Sequence, residues 1–149
     1  MSREEAFAFV ERGHTGILTT LRRDGMPISL PLWFACENER VYVATPSKTK
    51  KVARLRRDDR VSFLVETGER WAELKAVQLN GRARIVGDPE QIKRVRELLN
   101  EKYAAFRTSR RSMPAKTSQH YSSDQTILEI LPDERLLSWD NTKLKLGAA

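Results

Sequence analysis

Apolar and polar positions change period several times along this chain, and each change marks an element. Ser2 followed by Glu5 is a capping-box pattern, and Ala6, Phe7 and Val10 share one helical face. A short helix over residues 3–12, stopped by Gly13, is predicted. From residue 15 the period shortens to two. Residues 16–21, the turn pair Asp24-Gly25, residues 28–34 and, after Glu37-Asn38-Glu39, residues 41–45 read as three antiparallel strands in a meander. Pro31 interrupts the second run, which marks an edge, a bulge or a ligand-facing position.

Residues 48–58 return to helical spacing, with Val52 and Leu55 inward and basic residues elsewhere, and 60–66 resume strand character. A long strand is predicted over 72–86, with Gly81 as a bulge or bend. The clearest helix follows: Asp88 can cap it, Pro89 takes its first position and Gln91 takes the capping-box site. Ile92, Val95, Leu98, Leu99, Tyr103 and Phe106 form its apolar stripe. Residues 125–131 and 136–139 supply the last strands. With no repeat, low-complexity stretch or boundary, residues 1–149 read as one domain. It is a six- or seven-stranded antiparallel barrel with two or three helices outside it, α+β or mostly β. The first helix is expected to cover a barrel end.

Charge changes this picture more than composition does. The 149 residues are 40% hydrophobic and 32% charged, with 27 Lys and Arg against 20 Asp and Glu, a net +7. Residues 48–60 hold seven of the cations against Asp58 and Asp59 alone. Residues 107–116 are also basic, rich in small polar residues, and read as a mobile connection. Such runs fit either a solvated face or a polyanionic partner.

Several chemistries lack their residues. Cys36 is the single cysteine, which removes intrachain disulfides and cysteine-based zinc sites. His14 and His120 lie in no metal-ligand pattern, no GxSxG supports a serine hydrolase, and no GxGxxG or GxxxxGK[ST] cradle is present. No apolar run approaches the ~18 residues of a membrane span and no secretion signal opens the chain, so a cytoplasmic protein is expected. Nucleic acid is a weaker reading, because neither a helix-turn-helix nor an RNP-like signal accompanies the basic runs. If the chain is an enzyme, a bound cofactor does the hard step. Thr45-Pro46-Ser47-Lys48-Thr49-Lys50-Lys51, leading from a strand into the basic helix, offers hydroxyls, helix N-terminal amides and ammonium groups, the parts of a phosphate site.

Read together, Gly16-Ile17-Leu18-Thr19-Thr20-Leu21 with Asp24-Gly25-Met26-Pro27, Leu32-Trp33-Phe34, the run from Lys51 to Phe63, Gly81-Arg82-Ala83 and Ser138-Trp139-Asp140-Asn141-Thr142-Lys143-Leu144 resemble the pyridoxamine 5'-phosphate oxidase-like split-barrel superfamily. Within it they are most similar to the flavin/deazaflavin oxidoreductases that use coenzyme F420. The resemblance implies a split β-barrel of the FMN-binding type and a homodimer with two cofactor sites at the interface, each built from both chains. It places the phosphate-binding lysine at Lys51, with Ser47, Lys48 and Thr49 on the preceding loop, and sets Leu32 and Trp33 beside the flavin ring. Trp139 and Lys143 become the second chain's contribution. Arg54 and Asp59 depart from the pattern, which usually has Asn and Pro there. The expected function is hydride transfer from reduced F420, or next FMN, to a small organic acceptor, with no catalytic side chain and no metal; the alternative is a non-catalytic cofactor carrier.

Overall fold

The computed structural model describes residues 1–117 and 124–145; His120 lies outside them. The helices α1 (Arg3–Arg12), α2 (Lys50–Arg57) and α3 (Pro89–Tyr103) pack around an antiparallel sheet. Its strands are β1 (Gly16–Leu21), β2 (Pro27–Leu32), β3 (Ala35–Glu37), β4 (Arg40–Pro46), β5 (Arg60–Thr67), β6 (Lys75–Ile85), β7 (Gln125–Pro132) and β8 (Leu137–Asp140). The order along the sheet is β2-β1-β5-β6-β7-β4-β3, with β8 paired beside the first half of β6.

That order forces closure. Seven strands laid flat would separate β2 from β3 by about 29 Å, six spacings of ~4.8 Å, whereas the two-residue link Trp33-Phe34 reaches at most ~11 Å. The sheet therefore curls into a barrel split between β2 and β3. Here the expected meander fails: β2 pairs only with β1, and β4 pairs with β3 and β7. The hairpin that replaces it is β3–β4, turned by Asn38 and Glu39 at φ 52° and 59°, the left-handed pair of a two-residue turn. Pro31 sits on an edge strand, one of the positions its missing N–H allows.

Other boundaries shift for local reasons. The long strand begins at Lys75, because Trp71–Glu73 winds into a 3-10 turn first. Gly81 is no bulge, since the β5–β6 register runs unbroken through it. A Cβ there would lie 2.1 Å from the Leu131 carbonyl oxygen, so glycine serves a close backbone approach. Ser2 accepts the Glu5 N–H as expected. Gln91 does not complete a capping box; it donates to Glu129 at 2.7 Å and to the Tyr42 hydroxyl at 3.3 Å. Asp88 alone caps α3, by accepting the Glu90 N–H. Asp88→Ala will lower stability by about 1 kcal/mol, read as a reduced urea midpoint at unchanged slope.

Two cores result. Leu18, Val41, Val43, Val61, Phe63, Val65, Val77, Leu79, Leu128 and Ile130 fill the barrel, joined by Ala6, Phe9 and Val10 from α1 and Leu55 from α2. The second lies outside the barrel, where Val95, Leu99 and Tyr103 of α3 meet Ala35, Tyr42 and Ile127 of β3, β4 and β7. Thus α3 covers the outer face of only three strands.

Candidate functional site

β4 ends at Pro46, opposite Gln125, and the chain turns into α2. Ser47 anchors this turn: its N–H and hydroxyl both donate to the Asp124 carbonyl (2.8 and 3.0 Å), and it accepts the Thr126 hydroxyl at 2.6 Å. Its one hydroxyl proton is committed, so it positions the loop and can only accept from a further group. Thr49 occupies the N-cap but makes no side-chain capping bond, and its hydroxyl is buried without a partner. The first-turn amides of α2 thus have no cap, and no acidic residue stands in that turn. Lys51 is half-buried, and burial, then the nearby Arg54 charge, push its pKa below the ordinary lysine value. Among the described residues none of Lys48, Lys50, Lys51, Arg54 or Arg56 pairs with a carboxylate; Asp58 is bound to Arg60 and Asp59 to Arg82. Free amides, a spare hydroxyl and unpaired cations at a helix N-terminus are the donor set a phosphate requires.

The other candidates lie elsewhere. Leu32 ends β2 opposite Gly16 and packs on the barrel core. Trp33 turns to α3: its ring stacks on Tyr103 at 4.4 Å and 3°, with His14 edge-on at 6.0 Å. β2 enters near the α2 end of the barrel, where Arg57 donates to the Leu21 carbonyl, and leaves at the other end. Leu32 is therefore about 17 Å, five strand residues, from the Pro27 end of its strand. Trp139 and Lys143 are also at that far end. Trp139 pairs with Ala76 near the start of β6 and is 45% exposed, while Lys143 donates to Glu5 of α1 at 2.5 Å. One subunit does not bring the three groups together.

The uncovered outer face explains what could. Registers align Pro31, Ile17, Leu64, Gln78 and Leu137 across β2, β1, β5, β6 and β8, with Trp139 beside them. None of these is fully buried or belongs to either core, and Trp71 is exposed nearby. Pro27 and Pro31 also leave β2 without two donors for edge-to-edge pairing.

Sequence reasoning missed two features. Arg22 and Arg23, on the β1–β2 turn, face α2 across a cleft; the pair before Asp24-Gly25 was the available signal. Tyr103, read only as an apolar stripe residue, accepts the Phe34 N–H at 3.0 Å, and its proton is shared by the His14 and Phe34 carbonyls at 2.8 and 2.9 Å. Cys36 offers no nucleophile, because burial pushes its thiol up to about 12.

A curled antiparallel sheet, open between its edge strands and bare on one outer face, is a split β-barrel. Residues 2–137 match the pyridoxamine 5'-phosphate oxidase family, and the chain belongs to it. Its structure is similar to that of a conserved hypothetical protein from Mycobacterium tuberculosis, with 31% identity over 100% of this chain and 94% of that one and a TM-score of 0.80. An FAD-binding protein from Mesorhizobium loti (20% identity, 93% of both chains, TM-score 0.70) and an F420 reductase (24%, 87% of this chain and 94% of that one, TM-score 0.63) share the fold. No curated protein matches the sequence.

Proposed function

We propose that this chain is an oxidoreductase that holds a phosphorylated flavin-type cofactor, coenzyme F420 ahead of FMN, and passes hydride to a small organic acceptor. The carrying observation is the uncapped N-terminus of α2, with Thr49 unpartnered and Lys51 desolvated and unpaired. In this reading Lys51, Lys48 and the first-turn amides hold the phosphate, while Ser47 fixes the loop. When bound, the ring supplies the hydride chemistry. The chain's part is to orient it against the apolar strand ends at Leu32 and to exclude water. F420 is preferred to FMN because its tail extends past the phosphate and can use the basic residues of α2, and because Ser138-Trp139-Asp140 resembles the F420-using branch.

A second copy of the chain completes the site. Apart from Gln78 the row from Pro31 to Leu137 is apolar, and a two-fold axis lying in this face and running across the strands sets two barrels antiparallel. The α2 end of one subunit then lies toward the Trp139 and Lys143 end of its partner, supplying the groups that one chain separates by a strand length. Sedimentation equilibrium at micromolar concentration will give a dimer; a monomer in the presence of cofactor refutes the shared site.

The functional test is a pair of titrations. F420 will bind more tightly than FMN, and its affinity will fall more steeply with salt, since exposed ion pairs are screened within about 8–10 Å. Tighter FMN binding at both low and high salt removes the F420 assignment. Turnover of an acceptor with reduced cofactor separates an enzyme from a carrier.

A further inference from the structure

Lys50, Arg54 and Arg57 stand at i, i+4 and i+7 on α2 and so form one stripe, a different face from that of Lys51. Opposite them the β1–β2 turn presents Arg22, Arg23 and Asp24, and the two elements border an open cleft of about 490 Å³. Five cations therefore face one carboxylate. That carboxylate is occupied: Asp24 binds Arg22 at 2.6 Å and accepts the Met26 N–H, which holds its pKa below the usual value. Arg57 is committed to the Leu21 carbonyl, tying helix to strand. Arg54 is not committed. Its Nη1 is buried and has no hydrogen-bond partner. The hydroxyl of Thr20, next to Leu21 and 2% exposed, is likewise buried and unpartnered.

A guanidinium nitrogen removed from water with no acceptor is costly, and a rotation of the Arg54 side chain that brings Nη1 to an anion in the cleft recovers the loss. We infer that the cleft is a subsite for a small molecule carrying two or more carboxylate or phosphate groups, with Arg54 as its central donor. Arginine's fork matches such oxygens, and Arg23 and Lys50 add unpaired charge on either wall. A nucleic acid fits less well, because no aromatic side chain lines the cleft to stack on a base. The site stands on the cleft alone, apart from the flavin assignment. Its anion has two possible sources, the acidic tail of a cofactor seated at Lys51 or a free polyanion.

Calorimetric titration of the full chain at low salt with inorganic tripolyphosphate and with triglutamate tests it. Saturable binding that depends on Arg54 is expected, beside any binding at the Lys51 loop. Arg54→Ala will weaken it about tenfold or more, the loss of one charge-assisted contact. Arg56→Ala removes the same charge from the same helix outside the cleft and will change it less than about twofold, as for a screened surface charge. Arg23→Ala, on an exposed turn, carries the same test with little risk to folding. No saturable binding by the wild type, equal losses for Arg54→Ala and Arg56→Ala, or tighter Arg54-dependent binding of an oligonucleotide overturns the proposal. Displacement of tripolyphosphate by F420 assigns the cleft to the cofactor's tail; undiminished binding with F420 present assigns it to a separate ligand. Tripolyphosphate binding with no flavin binding at all sustains the subsite and refutes the oxidoreductase reading.

Discussion

Lys51→Ala will weaken binding of the phosphorylated cofactor roughly ten- to a hundredfold, about 1.5–3 kcal/mol for a lost charge-assisted hydrogen bond. The structure gives this residue its leverage: the ammonium is half-buried, lacks a carboxylate partner, and lies within reach of the Arg54 charge. All three make an incoming anion worth more there than beside a solvated lysine. The apo protein's melting temperature will barely move, because no native contact of the ammonium is lost. The pH dependence has a fixed sign. Burial and Arg54 lower the lysine pKa, so the unliganded ammonium loses its proton at a lower pH than a free lysine does. Affinity will hold at neutral pH and fall as the solution becomes alkaline, and Lys51→Ala will flatten that fall. Unchanged affinity in Lys51→Ala, measured by titration, would show that the phosphate lies elsewhere.

The second large effect is on folding. Tyr103→Phe will destabilise the chain by about 1–3 kcal/mol, because it strands a buried amide and carbonyl that the hydroxyl now satisfies. Tyr103 is fully buried, and burial raises its phenol to about 12, so the hydroxyl keeps its proton as a donor throughout the physiological range. Of its partners, Phe34 lies in the link between β2 and β3 and His14 just before β1. The loss therefore falls at the split of the barrel. Chemical denaturation of the wild type and Tyr103→Phe, with slopes compared, checks this; equal midpoints refute it. Faster amide exchange at Phe34 than at Val43, in the barrel's closed side, will localise the effect.

Local structure was legible wherever one residue carries a local physical requirement. Ser2 and Asp88 announce helix starts because their oxygens accept first-turn amides, and both do so. The alternation in β1 and β5 is the trace of a sheet with one face in a core. The three-strand meander failed for the opposite reason. Nothing in residues 28–45 says that β2 and β4 lie at different places in the sheet, because pairing partners are chosen by long-range contacts, here with β7 some eighty residues on. Gln91 misled in the same way: its spacing suits a capping box, but the buried Glu129 on another strand is the stronger acceptor.

The site divides along the same line. The sequence by itself determined the strands and the basic helix after β4, since each rests on neighbours a few residues apart. It put Trp33 within the second strand, which instead ends at Leu32, and Trp139 on the last strand, where it lies. Only the tertiary structure decided that Trp33 stacks under α3, that Lys143 is held by Glu5, and that Arg22 and Arg23 face Arg54 across a cleft. It alone laid α3 over β3, β4 and β7. The physical reason is that propensity, capping and periodicity are energies of adjacent residues, whereas burial and charge pairing depend on which distant segments meet once the sheet has curled.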